Sequence, residues 1–231
     1  MTKASMFTRP AQVIIAALNE EEGIGRTIAE LREHLRSPRV LVVDGRSSDK
    51  TVEIAKKMGA EVVFQDGLGK GDAIAKAVEH LDPEADHIII TDADYTYPAE
   101  HLPEMIKILE EMPRVGMVCG NRFSPELDRT ALHSMFYLGN RLLAFTHNFL
   151  NGVQLNDPLT GLRVVRAEIL RGWVVKSRGF DVEVELNHLV ERKGFGIVEV
   201  PIVYRPRLGE KKLKARHGAS ILRRIMLETT A

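Results

Sequence analysis

The stretch His87-Ile88-Ile89-Ile90-Thr91-Asp92-Ala93-Asp94 constrains this chain more than any other. Side chains along a strand point alternately to its two faces, so three consecutive isoleucines require apolar cover on both. That is the environment of a strand inside a parallel sheet with helices on either side. The run ends on two carboxylates one residue apart. Unpaired charge is costly to bury, so Asp92 and Asp94 belong where the strand leaves the core, at the carboxyl edge of the sheet. In open α/β sheets ligands bind along that edge. Two hard oxygen ligands there suit Mg²⁺ or Mn²⁺ in company with a phosphorylated substrate. Asp-x-Asp also occurs by chance, and a solvated strand-end turn accounts for it equally well, so the rest of the chain has to decide.

Further apolar runs read as strands: Gln12 to Ala17, Arg39 to Val43, Glu61 to Gln65, Val115 to Cys119 and Ile197 to Tyr204. The last contains Pro201, which places it near a sheet edge. Between them lie helical stretches: one reaching Arg36, one starting at an N-cap Ser48 or Asp49 and closing at Gly59, one from Gly67-Leu68-Gly69-Lys70-Gly71 to Leu81, and one after Pro98. This alternation predicts right-handed βαβ units and a mostly parallel sheet. In the second half the spacing predicts a long helix over Thr130 to Leu150, a turn-rich loop at Asn156 to Gly161 and a helix over Phe180 to Arg192. Met1 to Arg9 reads as a loose leader.

Composition narrows the class. In 231 residues, 44% are hydrophobic and 28% charged, which fits a soluble globular chain with one substantial core. The formal net charge of zero carries no sign of nucleic-acid binding. Locally the balance differs: Arg205 to Arg224 carries eight Lys/Arg against Glu210 alone, a charge of +7. The single cysteine, Cys119, excludes an intrachain disulfide and, in its apolar run, reads as a buried inert thiol. With no bilayer-length apolar stretch and no signal-peptide pattern, a cytosol-facing protein is expected. Gly67-x-Gly69-x-Gly71 lacks the third glycine at the Rossmann spacing, and no Gly-Lys-Ser/Thr is present for a P-loop. What remains is a series of polar clusters at strand ends: Asn19/Glu20, Asp44, Gly67 to Gly71, and Asp92/Asp94. In a parallel sheet these converge on one rim, where acids accept hydrogen bonds from base or ribose and Lys70 with glycine amides approaches phosphate. That convergence points to a nucleotide-diphosphate site. Glu21, Glu22 and Asp49 read as capping or turn residues, and His147 and His188, lacking a metal-ligand pattern, as structural.

The segments Val13 to Glu21, Val42 to Thr51, Gly69-Lys70-Gly71 and Asp92-Ala93-Asp94 occur in the order found in family 2 glycosyltransferases, which the chain resembles from Gln12 to about Leu227. Gly120 to Phe123, Leu159 to Arg163 and Gly209 to Leu213 look most like the polyprenyl-phosphate branch, typified by dolichol-phosphate mannose synthase and its glucose-transferring relatives. The resemblance implies a GT-A fold in one domain over 1–231: a nucleotide-sugar half (10–122), an acceptor half with a basic loop (123–216) and an amphipathic C-terminal helix (217–231). It implies that Ala17, Leu18, Glu20, Asp44, Lys70, Asp92 and Ala93 line the donor, with Glu20 and Asp44 on its nucleoside. Asp92 and Asp94 match the residues that tie a divalent ion to the diphosphate, and Thr96 stands where the mannose synthases place a further metal ligand. Leu18 replaces an aromatic residue and inclines the reading toward UDP rather than GDP. Arg122 and Arg163 match family arginines, Arg122 being assigned to the acceptor phosphate. Arg205, Arg207 and Lys212 fall in a segment matching a mobile loop that closes over donor and acceptor.

The implied reaction is metal-dependent inverting transfer of a hexose from a nucleotide-diphosphate sugar to a polyprenyl (dolichyl) phosphate, with Asp94, Arg122, Arg163 and Asp157 as its catalytic residues. A soluble hydroxyl acceptor, such as a phosphoglycerate, would instead require a carboxylate base from Asp157, Glu183 or Glu185. A reading of another class, a non-catalytic sugar-nucleotide-binding subunit of a membrane complex, also stays open, as do a membrane partner subunit and an oligomer. Ser220 to Leu227 is amphipathic at helical spacing, so it either lies on an anionic cytosolic membrane face as a peripheral contact or packs on the core.

Overall fold

A computed structural model describes residues 10–123, 135–151, 154–210, 212 and 217–229. The leader Met1 to Arg9, the first residues of the helix expected from Thr130, and Lys211, Lys214 and Arg216 of the basic segment lie outside the described residues. Among the described residues, the strands are β1 (Gln12–Ala17), β2 (Arg39–Asp44), β3 (Glu61–Phe64), β4 (His87–Asp92), β5 (Val115–Asn121), β6 (Arg163–Arg166) and β7 (Gly196–Pro201). The helices are α1 (Ile24–His34), α2 (Thr51–Lys57), α3 (Lys70–Glu79), α4 (Leu102–Glu111), α5 (Met135–Asn151), α6 (Ala167–Leu170), α7 (Val182–Arg192) and α8 (His217–Thr229). The strands form one sheet in the order β3-β2-β1-β4-β6-β5-β7. Pairs β1/β2, β1/β4, β2/β3 and β5/β7 are parallel, so the mostly parallel α/β sheet expected from the alternation is present.

The three isoleucines of β4 behave as their run requires. Ile88 and Ile90 pack on one face with Ile14, Leu41, Val43 and Val165, beneath α3 and α7. Ile89 packs on the other with Val13, Ile15, Val42 and Val164, beneath α1 and α4. Burying each such side chain stabilises by about 1.5–3 kcal/mol. The register sets Ala17 opposite Asp44 and Ala16 opposite Asp92, so β1, β2 and β4 finish level and present their polar ends on one rim.

Several boundaries differ from expectation. β6 was not anticipated: it is antiparallel to β4 and β5, and Val164 and Val165 between two arginines leave no periodicity to read. The strand expected to reach Tyr204 stops at Pro201, on the edge strand where a missing N–H is tolerated. Helix α2 starts at Thr51 with Lys50 at the cap position, not Ser48 or Asp49. Asp49 still acts locally, its Oδ1 accepting from the Thr51 N–H at 2.9 Å and hydroxyl at 2.5 Å. Gly59, with φ 71°, closes the helix as expected. Ile221 and Ile225 of α8 pack with Val184, Leu143, Leu150 and Phe180, so this helix does cover core.

Candidate active site

The rim begins with backbone geometry. Asn19, Arg46 and Tyr95 follow β1, β2 and β4, and each has positive φ (50°, 65° and 65°). Non-glycine residues adopt that region reluctantly, and such conformations gather where surrounding bonds enforce them. Here the bonds join the ends of β1 and β2. Asp44 accepts from the Ser47 N–H at 2.7 Å and hydroxyl at 2.6 Å, while Asn19 Oδ1 accepts from the Ser48 N–H at 2.8 Å. The Glu20 N–H donates to Thr51 Oγ1 at 2.7 Å, and Glu21 and Asp49 bond across the same turn, as expected of turn residues. At Gly23 a Cβ would lie 2.6 Å from the Ala93 carbonyl oxygen, so only glycine lets the start of α1 press against the Asp-x-Asp turn.

The two aspartates differ in surroundings. Asp94 is buried, its Oδ1 accepting from the Thr96 hydroxyl at 2.6 Å and its Oδ2 from Arg207 at 2.8 Å. Burial, with the neighbouring Asp92 charge, raises its pKa above the ordinary carboxylate value. Thr96, expected in a metal's own shell, is fully buried and stands behind Asp94 as its orienting donor. Asp92 accepts from Lys70 Nζ at 2.6 Å, and a Cβ on Gly161 would lie 2.6 Å from its Oδ2. Lys70 also pairs with Glu183 at 2.8 Å. Burial works against the Lys70 ammonium, but Asp92 and Glu183 outweigh it and hold its pKa above the ordinary lysine value. Expected to approach phosphate, Lys70 is instead turned inward as the cation between two acids. Glu20, also buried, pairs with Arg207; burial, only partly offset by that guanidinium, raises its pKa to about 7.

Past Tyr97 lies a second charged pair. Arg122, just beyond β5, grips Asp157 through Nε and Nη2, each at 2.7 Å. The backbone of Asn156 and Asp157 donates to Glu199 on β7 at 2.7 and 2.6 Å, which fixes that loop. The Arg122 guanidinium lies over the Phe123 and Tyr204 rings, 5.2 and 5.4 Å from their centroids. Tyr97 connects the two sides: its hydroxyl accepts from the Gly161 N–H at 2.7 Å, and its ring meets Tyr204 edge-on at 5.2 Å.

Arg163, grouped above with the catalytic arginines, is 1% exposed. It donates to the carbonyls of Thr160 (2.9 Å) and Pro158 (2.8 Å) and to Asn187 Oδ1 (2.5 Å), bracing the 157–161 loop from beneath. Ala17 and Ala93 are buried beside the rim, while Leu18 is exposed on it. Arg205 clamps Glu30 with two bonds of 2.7 Å and lies over the Tyr95 ring at 4.7 Å. Lys212 donates to the Asn19 carbonyl at 3.2 Å. Thus Glu20, Asp92, Asp94, Arg207 and Lys212 converge with Lys70, and Arg122 joins Asp157 alongside. Tyr97, Tyr204, Glu30 and Glu199 were missed; Tyr97, three residues past Asp94, was a readable signal, the others were not. The His147 and His188 rings meet at a tilt of 50° with centroids 5.3 Å apart, and no three-residue His/Cys/Asp/Glu metal cluster occurs among the described residues. Burial pushes the Cys119 thiol up to about 12, in keeping with an inert cysteine.

The chain is similar to known proteins over most of its length. The dolichyl-phosphate hexose transferase of Haloferax volcanii is 34% identical over 220 residues, spanning 91% of this chain and 89% of that protein. The undecaprenyl-phosphate mannosyltransferase of Micrococcus luteus is 31% identical, spanning 87% of this chain and 86% of that protein. The crystal structure of glucosyl-3-phosphoglycerate synthase from Mycobacterium tuberculosis in complex with uridine diphosphate matches with a TM-score of 0.74 at 21% identity, over 96% of this chain and 80% of that one. The fold is therefore GT-A. A sheet rim that ends in Asp-x-Asp, and a match to the glycosyl transferase family 2 model over residues 12–173, lead to one assignment: the chain belongs to that family and is a glycosyltransferase.

Proposed function

We propose that this enzyme transfers a hexose, with inversion, from a nucleotide-diphosphate sugar to a polyprenyl phosphate. The observation that carries the acceptor class is the state of the three carboxylates a hydroxyl acceptor would need as base. Asp157 is locked by Arg122. Glu185 accepts from Trp173 Nε1 and from the Lys176 and Ser177 N–H groups. Glu183 is paired with Lys70. A phosphate monoester needs no such base, because its second pKa is about 6 by analogy with phosphorylated side chains. Its oxygen attacks the anomeric carbon as the bond to the diphosphate breaks, and the nucleoside diphosphate leaves with the electron pair.

Such a reaction has to overcome repulsion between two anions. Unit charges about 5 Å apart repel by roughly 3 kcal/mol at an effective dielectric of about 20. Arg122, next to the aromatic pair Tyr97 and Tyr204, supplies cationic charge on the acceptor side, and Arg207 and Lys212 supply it above the donor. Asp92 and Asp94 suit Mg²⁺ or Mn²⁺: one or two carboxylates with substrate phosphates is the usual Mg²⁺ arrangement, and Asp94 Oδ2 already faces a cation, the Arg207 guanidinium. An ion bound there would add positive charge against the departing diphosphate. Glu20 and Asp44, at the ends of β1 and β2, take the nucleoside side. The relatives named for dolichyl- and undecaprenyl-phosphate transfer support the same acceptor class.

One observation favours the soluble-acceptor alternative: Glu183 Oε2 is buried without a hydrogen-bond partner. Incubation with radiolabelled UDP-glucose or GDP-mannose and membranes, followed by solvent extraction, separates the two. Label is expected in the organic phase; label wholly in water would exclude a lipid acceptor.

A lipid acceptor also requires the enzyme to reach a membrane face, and no helix among the described residues is long and apolar enough to cross one. Helix α5 exposes Leu142 (66%), Phe145 (68%) and Phe149 (77%) at helical spacing, beside exposed Leu222 and Met226 of α8. Large apolar residues aligned on one face mark an interaction surface. The basic contribution of α8 is smaller than its sequence suggests, because Arg224 pairs inward with Asp181 at 3.2 Å and Glu228 at 3.3 Å. We propose that this stripe rests on the cytosolic lipid surface. Two phenylalanines entering it contribute about 3 kcal/mol or more, so the Phe145→Ser/Phe149→Ser double variant should bind anionic vesicles at least about tenfold more weakly. Unchanged flotation with vesicles would remove the stripe from consideration.

A further inference from the structure

Residues 205–210, with Lys212, cross the rim and are fastened at both ends. At one end the Arg205 N–H donates to the Thr96 carbonyl at 3.0 Å, and its guanidinium clamps Glu30. At the other, Lys212 reaches the Asn19 carbonyl at 3.2 Å. Between them the Leu208 N–H donates to the Asp94 carbonyl at 3.1 Å. This holds Arg207 over the site, with Nη1 on Asp94 Oδ2 at 2.8 Å and Nη2 on Glu20 Oε1. These two acids come from different strands, and they are the groups read above as serving the cation and the nucleoside of the donor.

We infer that Arg207 is the resting counter-ion of the donor site, pairing with Glu20 and Asp94 until a divalent cation arriving with the donor displaces the guanidinium from Asp94. The inference rests on the donor-site reading above. Two buried carboxylates side by side disfavour each other's charge, and one guanidinium spanning both compensates them when no ligand is bound. A divalent cation offers Asp94 more charge at the same oxygen, and the two cannot occupy Oδ2 together. The resting pairing is also imperfect: Arg207 Nε and Glu20 Oε2 are both buried without partners. That lowers the cost of release. The Arg205–Glu30 clamp does not involve either acid, so it can hold the segment while Arg207 lifts. Gly209, with φ 77° and a Cβ position 3.6 Å from Glu20 Oε2, supplies a glycine-compatible bend beside the released segment.

The test is Mn²⁺ binding without nucleotide, read as free Mn²⁺ by electron paramagnetic resonance. It compares the full chain with Arg207→Gln, Arg207→Lys and Asp94→Asn, each checked for folding by thermal melt. Removing a competitor should tighten Mn²⁺ binding in Arg207→Gln by about tenfold or more. Arg207→Lys keeps a charge but cannot fork across both acids, so it should shift the same way by less. Asp94→Asn should abolish binding. If Asp94→Asn abolishes binding while Arg207→Gln binds Mn²⁺ equally or more weakly, the counter-ion role is overturned and the donor site stands. If Mn²⁺ binds none of the proteins, or binds regardless of Asp94, both are overturned.

Discussion

Asp94→Ala is expected to lower hexose transfer by at least about 10³-fold while leaving a folded protein. The magnitude follows from losing charge stabilisation of several kcal/mol, at about 1.4 kcal/mol per factor of ten. Folding should survive because Asp94 contributes little as a buried anion: burial and the Asp92 charge raise its pKa, so its ionised form is disfavoured in the native state. Removing it costs the Thr96 hydroxyl and Arg207 one partner each. A thermal midpoint within a few degrees of the parent is therefore expected, since 1 kcal/mol moves a domain of this size by about 2–4 °C. The isosteric Asp94→Asn should be almost as inactive, because the shape returns without the charge. Near-normal turnover in either variant, measured with the preferred sugar nucleotide and a short-chain polyprenyl phosphate, would falsify the assignment of the cation to this residue.

The second large effect concerns stability. Arg163→Ala should destabilise the fold by roughly 3–5 kcal/mol, because it leaves the Thr160 and Pro158 carbonyls and Asn187 Oδ1 without their donor and empties a guanidinium-sized space. That corresponds to a thermal midpoint lower by on the order of 10 °C. Activity should fall with it, through the 157–161 loop that carries Asp157 and the Gly161 contact with Asp92. A catalytic arginine would behave differently, losing turnover with its midpoint unchanged. Melting curves of Arg163→Ala and Arg163→Lys beside their initial rates decide between the two, and an inactive variant melting with the parent would return Arg163 to the chemistry.

Arg163 also shows where sequence reading stopped. Its place in Leu159-Thr160-Gly161-Leu162-Arg163 suggested a role equal to that of Arg122, yet one arginine faces the site and the other faces the core. Both match family arginines, and nothing local distinguishes them. The difference is made by β6, an antiparallel strand of four residues that directs Arg163 beneath the loop. Lys70 is a similar case: its position after Gly69 was legible, but Asp92 and Glu183 are 22 and 113 residues away, and they determine that it points inward.

By itself the sequence determined the architecture and the rim. Strand and helix are written in local apolar periodicity, and three isoleucines ending on Asp92 required a doubly covered strand with acids at its carboxyl end. Parallel pairing then brought Glu20, Asp44 and Asp92 level, because βαβ connections leave few other arrangements. The tertiary structure alone decided what each charge faces: Arg122 on Asp157, Lys70 between two acids, Thr96 behind Asp94, and Arg207 across Glu20 and Asp94. Long charged side chains have many rotamers and choose among partners far apart in sequence. Their direction is therefore set by the assembled electrostatic surroundings, which no short window of residues contains.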